Sequence, residues 1–440
     1  MSGGEAAGGR TAGVPYRWLV VLMLWTICFF NYADRQAIFS VFPLLEKEMH
    51  LGPVELGLLG SAFAWVYGLG APLAGLIVDR VRRKTAILGG LHVWSAICAA
   101  TALSRNFRHL LAFRAAEGLG ETFYYPASVS LIGDYHGKAT RSRALGLLVT
   151  SVYFGTIGGG FFAGLIGQHY GWRSSFVVFG TLGMLLGVLL HRVLREPARG
   201  AADRADAGLA AVPHAATKVP ARQAFALIFH TPTAVLLMGA FVCANFVAVV
   251  LLSWMPKFLY DAFGMSLAAA GLNATLFAQL ASMAGAFTGG WLADKLTRKT
   301  SRGRVIVQAL GVFAGAPFVV LCGMTRSVTL LLVALAGWGF FKGLYDANIF
   351  ASAFDVIRPE ARGTVAGLMN CVGWLAGGGT APIVVGLVAR RSGLGFAIAA
   401  AASVYVAAGV LLLLAMTVIG RDSARMRRQV EGPVAGEAGG

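Results

Sequence analysis

Twelve long apolar runs, separated by short polar or charged bursts, organise this chain. They fall at 17–40, 54–79, 84–104, 108–134, 143–169, 173–194, 226–256, 267–294, 304–325, 327–357, 361–389 and 393–419. Each is near or above the ~20 residues an α-helix needs to cross ~30 Å of hydrocarbon. The pattern therefore predicts an all-α membrane protein with twelve transmembrane helices. The first run reads as a retained span rather than a cleaved leader, because it is long, contains Asn31-Tyr32-Ala33-Asp34-Arg35 and lacks a small-residue cleavage site. Between residues 195 and 225 the sequence turns Ala-, Pro- and charge-rich, which predicts a cytoplasmic linker. It divides a six-helix bundle at 17–194 from a second at 226–419, with cytoplasmic tails at 1–16 and 420–440. The C-terminal tail is expected to be disordered.

Composition supports this reading. Of 440 residues 57% are hydrophobic and only 13% charged, about half the charge of a soluble domain. The 58 glycines suit helices that approach closely in a bilayer. The formal net charge of +17 does not imply nucleic acid, because the cations sit in bursts between apolar runs instead of on one solvated face. Counted by side, 26 Lys and Arg fall in alternate loops and tails against 8 in the opposite loops. That asymmetry places both termini in the cytoplasm, and makes the charge an insertion signal with attraction to anionic headgroups. The five cysteines all lie inside apolar runs, so no disulfide framework is implied.

The chain also repeats itself. Gly75-Leu-Ile-Val-Asp79-Arg80-Val-Arg-Arg83-Lys84 follows the second run, and Gly290-Trp-Leu-Ala-Asp294-Lys295-Leu-Thr-Arg298-Lys299 follows the eighth. Asp134, Arg141 and Gly146 after the fourth run recur with the same spacing as Asp355, Arg362 and Gly367 after the tenth. Gly158-Gly159-Gly160 is matched by Gly377-Gly378-Gly379. A duplicated six-helix unit is the expected build of a carrier with a midplane site. The paired G-x-x-x-D-[RK]-x-x-[RK]-[RK] loops resemble the signature of the major facilitator superfamily, with Arg82 where that signature usually has glycine. The resemblance implies the major facilitator fold, and loops that hold the halves together on the cytoplasmic side and gate alternating access. Asp79 is a candidate cap for a helix N-terminus, whose partial positive charge favours a carboxylate. The basic residues of the same loops are equally explained as topology markers.

Charge within the runs is the sharpest chemical signal, since each charge at bilayer depth costs at least ~2.5–3.5 kcal/mol. The first run carries Asp34 and Arg35; the fourth carries Arg114, Glu117 and Glu121; the tenth carries Lys342 and Asp346. The spacings within the fourth and tenth runs put each of those two sets on one helix face. Arginine grips carboxylates at two points, so Arg35 and Arg114 suit an organic anion, while Asp34 and Glu121 are candidates to load and release protons. Structural ion pairs, Asp34 with Arg35 and Arg114 with Glu117, are the plainer alternative. Tyr32, Tyr67, Tyr124, Tyr125, Tyr153, Trp338, Tyr345 and Trp374 share that depth with Asn245, Gln279, Asn348 and Asn370.

Asn31-Tyr32-Ala33-Asp34-Arg35, Arg114 seven residues before Glu121, the following Tyr125-Pro126-Ala127 and Trp254-Met255-Pro256 resemble the anion:cation symporter branch of the superfamily. That resemblance implies uptake of organic anions such as sugar acids with protons: Asp34 and Glu121 coupling; Arg35, Arg114, Tyr32 and Tyr67 on the substrate; Lys342 and Asn370 as added candidates. Gly118-Leu-Gly120-Glu121, Asp134 with Arg141-Ser142-Arg143 and Arg195-Glu196-Pro197 also look like the Spinster-like branch, which moves lysolipids. The chain has no G-x-x-x-x-G-K-[ST] loop, no H-E-x-x-H and no G-x-S-x-G, which argues against a pump or an enzyme. A sensor that binds without transporting is the remaining alternative. No cofactor is expected beyond a coupling proton, preferred over sodium because the acids sit beside arginines. The expected partners are a small organic anion and the lipid bilayer of the cell's inner or plasma membrane, with no nucleic acid and a monomeric state.

Overall fold

A bilayer admits only elements whose backbone hydrogen bonds close internally. The computed structural model describes residues 15–78, 80–202, 206 and 226–431 and is helical through every apolar run, with no strand among the described residues. The first half comprises α1 (Tyr16–Ser40), a short α2 (Phe42–Met49), α3 (Pro53–Val78), α4 (Arg83–Thr101), α5 (Phe107–Glu121), α6 (Tyr124–Tyr135), α7 (Arg141–Tyr170) and α8 (Trp172–Val193). The second comprises α9 (Pro232–Phe263), α10 (Leu267–Thr297), α11 (Gly303–Met324), α12 (Val328–Asp346), α13 (Ile349–Phe354), α14 (Arg362–Val372), α15 (Ala381–Ser392) and α16 (Leu394–Glu431). Among the described residues, ten helical stretches are long and apolar enough to cross a membrane by length and composition. The expected spans at 84–104 and 108–134 are α4 and the α5–α6 pair.

Helix breaks have local causes. The ring of Pro126 removes a donor and crowds the carbonyl four residues back; the chain opens at Thr122–Phe123, where the Thr122 hydroxyl donates to the Gly118 and Leu119 carbonyls at 2.9 and 2.8 Å. Pro382 acts likewise, and a widened π turn at Gly373–Gly378 separates α14 from α15. The last helix outruns its apolar stretch, continuing to Glu431. Buried Asp422 holds it there, accepting from the Thr233 amide (3.0 Å) and hydroxyl (2.7 Å) at the start of α9. The expected linker begins as a strap on the first half: Arg83 donates its amide to Glu196 at 2.8 Å, and Gly200 donates to Asp134 at 2.6 Å. Residues 1–14, the rest of the linker except Asp206, and 432–440 lie outside the described residues.

Glycine sets the distance between helices. A Cβ on Gly159 of α7 would collide with the backbone of Ala33 in α1, and one on Gly285 of α10 with Phe340 in α12. The two halves meet by the same device. Gly160 on α7 abuts Gly271 on α10, and Gly57 on α3 abuts Pro382 on α15. At that end Lys257 of α9 pairs with Glu46 of the first half and, at 2.6 Å, with Asp261, while the Phe42 and Trp254 rings meet edge-on at 5.6 Å. At the opposite ends of these helices, Gly75, Gly146, Gly290 and Gly367 face open space. The closest glycine-to-backbone approaches between the halves thus gather at one end of the helices.

Overpacking a close approach costs ~1–3 kcal/mol. Gly159→Leu should lower the melting temperature of the detergent-purified protein, whereas Gly146→Leu should leave it unchanged. Equal melting of the two variants would show that the α1–α7 approach contributes nothing.

Candidate functional site

The polar centre of the first half is built by α1, α3 and α5. Gly118 brings α5 against the Phe63 carbonyl and Tyr67 amide of α3, where a Cβ would intrude. Arg35, 8% exposed, pairs with Glu121 through Nε. Its guanidinium carbon lies 4.4 Å from the Tyr67 ring centroid, 4.7 Å from Tyr32, 5.1 Å from Phe63 and 5.8 Å from Trp374. Aromatic faces attract such a cation, more strongly when water is excluded. Trp374 comes from the second half and touches Tyr67 edge-on at 5.5 Å, so the arginine sits where the halves meet.

Behind it, Arg114 pairs with Glu117, and both side chains are almost wholly buried. The Arg114 guanidinium also lies 4.8 Å from Phe63. Asp34 is fully buried, and neither of its oxygens meets a hydrogen-bond partner among the described residues. Ligand atoms of Asp34, Cys98 and Glu117 lie within 4.8 Å of one another. Zinc accepts both thiolate and carboxylate ligands, but Arg114 already supplies the positive charge at Glu117. The trio is better read as part of a protonatable cluster: two guanidinium and three carboxyl groups, which carry one excess negative charge when all are ionised.

Several candidates lie apart from this centre. Lys342 pairs with Asp346 one turn along α12 and is within electrostatic reach of Tyr153 from the first half. Asn370 is half-buried on α14. Among the described residues, neither is joined to Arg35 by a hydrogen bond or an ion pair. Asn245 and Asn348 serve packing, donating to the Gly373 (2.8 Å) and Gly289 (3.2 Å) carbonyls.

The loop candidates form a pseudo-symmetric pair of clamps. Arg83 pairs with Asp134 and Glu196. In the second half it is Arg304 that holds Asp355, at 2.6 Å. Both pairs span 51 residues. Arg141 donates to carbonyls five and eight residues back, His136 at 3.0 Å and Gly133 at 3.1 Å. Arg362 repeats those offsets with Ile357 at 3.4 Å and Phe354 at 3.0 Å. Arg80, Asp294, Lys295 and Arg298 are exposed; Asp294 lies 3.9 Å from Arg304, and Lys295 lies over Trp291 at 5.3 Å. Gly75 and Gly290 are the open glycines noted above, and Asp79 lies outside the described residues. Arg304 escaped the motif reading because six extra residues separate it from its loop, although its spacing to Asp355 matched. Phe63 shares a face with Tyr67, four residues on. Trp374 was one of the aromatics at that depth, with no local sign that it would reach Arg35, and Cys98 had no local signal.

The family model described as Major Facilitator Superfamily matches residues 24–382 and again 260–435. The chain belongs to the major facilitator superfamily. It is accordingly a multi-pass membrane transporter and not an enzyme. It is 28% identical over 407 residues to the probable galactarate/D-glucarate transporter of Bacillus subtilis, covering 88% of each chain. It is 31% identical over 345 residues to the 4-hydroxybenzoate transporter of Pseudomonas putida, covering 72% of this chain and 75% of that one. In fold it is similar to a bacterial homologue of the human lysosomal transporter Spinster in an inward-facing and occupied conformation, with a TM-score of 0.80 at 22% identity over 93% of this chain and 99% of that one. This member of the superfamily places its buried charges chiefly on α1 and α5.

Removing one member of a buried ion pair strands the other, at a cost of ~3–5 kcal/mol. Arg114→Met should therefore unfold at markedly lower temperature, and the double variant Arg114→Met/Glu117→Leu should recover most of the loss. Failure of the double variant to recover would mean that Arg114 stabilises chiefly through contacts other than its pair with Glu117, such as Phe63.

Proposed function

We propose that this protein is a secondary transporter of the plasma membrane that moves a small organic anion, a sugar acid or another carboxylate, by proton symport. Its twelve crossings alternate access to a central site, with both termini in the cytoplasm. The setting of Arg35 carries this reading. Its guanidinium is caged by rings from both halves and engaged by a single carboxylate, Glu121. A substrate carboxylate offers the same hydrogen bonds and competes for that edge. Once displaced, Glu121 is an unpaired buried charge costing at least ~2.5–3.5 kcal/mol, and a proton removes that cost. Anion and proton binding are coupled by this exchange of partners. Asp34, buried without a hydrogen-bond partner among the described residues, is the second proton acceptor. Arg114, held by Glu117, supplies further positive potential; Tyr32 and Tyr67 orient the substrate; Lys342 and Asn370 meet it from the second half.

The relatives' names support the substrate class, since galactarate, D-glucarate and 4-hydroxybenzoate are all carboxylates. The open glycines support alternation. Gly75, Gly146, Gly290 and Gly367 have nothing to make room for here, yet they stand on α3, α7, α10 and α14, which carry the glycine contacts or continue the helices that carry them at the joined end. In the opposite state they are the residues that let these helices close, with the Arg83–Asp134 and Arg304–Asp355 clamps beside them.

The deciding experiment is uptake into proteoliposomes with an inward proton gradient, offering galactarate, D-glucarate and 4-hydroxybenzoate beside a lysophospholipid. A carboxylate should accumulate and leak away when a protonophore is added; movement of the lysophospholipid alone would overturn the substrate class, and binding without counterflow would indicate a sensor. Glu121→Gln should abolish proton-driven accumulation while sparing exchange, and undiminished accumulation in that variant would remove its coupling role. Gly290→Leu should melt like the parent yet transport slowly, because overpacking of ~1–3 kcal/mol on the closed state alone disfavours it by about 5–150-fold.

A further inference from the structure

Two cavities lie side by side on the outside of the first half, away from the central site. One, of about 1310 Å³, is walled by the loop before α4, the start of α4 and the strap after α8, and contains Arg80, Arg82, Arg83, Lys84, His191 and Arg199. Its one acid, Glu196, is engaged by Arg83. The other, of about 430 Å³, is an apolar groove between α4 and α5, walled by Ile77, Gly89, Val93, Ile97, Leu119 and Phe123. Val81, Thr85, Gly89 and Val93 line both, so the basic chamber opens directly into the groove.

Not all the cations are committed. Arg83 is held by Asp134 and Glu196, and Lys84 donates to the His191 carbonyl at 2.7 Å. Arg80 and Arg82 are exposed and have no ion pair among the described residues. The groove is equally unfilled: Ile77, Val93 and Leu119 are 45%, 52% and 51% exposed, and a Cβ on Gly89 would meet nothing within 4 Å. From Thr85 to Ile97 the groove runs about 18 Å along α4 at 1.5 Å per residue, close to half of a ~30 Å hydrocarbon core. A cluster of cations at one end of an apolar channel one leaflet long is complementary to an amphiphile with an anionic head.

We infer that this paired cavity is a binding site for one anionic phospholipid, its phosphate held by Arg80 and Arg82 and one acyl chain lying in the groove over Gly89. The phosphate alone would satisfy the chamber, but it would leave the groove without a role, so the lipid is the occupant. The headgroup then rests beside the Arg83–Asp134–Glu196 clamp, which places bilayer composition in contact with the loop between α3 and α4.

Native mass spectrometry of the full chain in detergent, titrated with phosphatidylglycerol or phosphatidylcholine, tests this site. The parent should retain one phosphatidylglycerol in preference to phosphatidylcholine. Arg80→Gln/Arg82→Gln should abolish the preference, and Gly89→Leu should displace the lipid with every charge intact. Arg390→Gln/Arg391→Gln, at the far end of α15, should change nothing. Both test sites are exposed, and unchanged melting temperatures would exclude misfolding as the cause. No headgroup preference in the parent, unaltered binding in Gly89→Leu, an equal loss in the Arg390/Arg391 variant, or displacement by soluble glycerol phosphate would each overturn the proposal.

Discussion

The need to neutralise buried charge within reach of a few bonds governs the centre of this molecule. Arg35, Arg114, Asp34, Glu117 and Glu121 lie at a depth where water does not compensate them. The two guanidinium groups each pair with one carboxylate and lie against aromatic faces, while Arg35 Nη1 and Arg114 Nε have no hydrogen-bond partner among the described residues. Such pairs are short-range, so α1, α3 and α5 have to approach one another closely. Gly118 against Phe63 permits that approach between α5 and α3, and Gly120 against Trp94 and Gly159 against Ala33 seat α5 on α4 and α7 on α1. The charges and the glycines are therefore one design, in which neither works without the other.

The same use of small residues recurs at three levels. Inside each half it brings helices near enough for side chains such as Ser282 to donate to the Gly339 carbonyl, at 2.9 Å. Between the halves it forms the Gly160–Gly271 and Gly57–Pro382 approaches. At the opposite ends it leaves glycines that touch nothing. Helix packing in a bilayer relies on van der Waals fit more than on expulsion of water, which is why small residues mark the closest approaches.

Duplication shows most plainly in the clamps. Arg83–Asp134 and Arg304–Asp355, together with the carbonyl bonds of Arg141 and Arg362, repeat at equal spacing in both halves. The central charges do not repeat in that way. The cluster of two arginines and three acids belongs to the first half, while the second contributes Trp374 and the self-contained Lys342–Asp346 pair. The halves thus share a frame of clamps and differ in the charges they carry.

Much of this was legible along the chain. Apolar run length and the spacing of Asp134, Arg141, Asp355 and Arg362 mark helices and repeat, because both are local properties of a hydrogen-bonded helix in lipid. The charges at Asp34, Arg35, Arg114 and Glu121 stand out because a bilayer makes them costly wherever they fall. Partnership was not legible. Asp34 and Arg35 are adjacent in sequence and point to different neighbours, Arg35 to Glu121 and Asp34 toward Glu117 and Cys98. Trp374 reaches Arg35, and Arg304 replaces Arg298 as the partner of Asp355, only because folding brings distant turns together. Sequence determined which residues a membrane would force to find a partner; the tertiary structure decided which partner, since an ion pair depends on a few ångströms of separation that only the packing of helices sets.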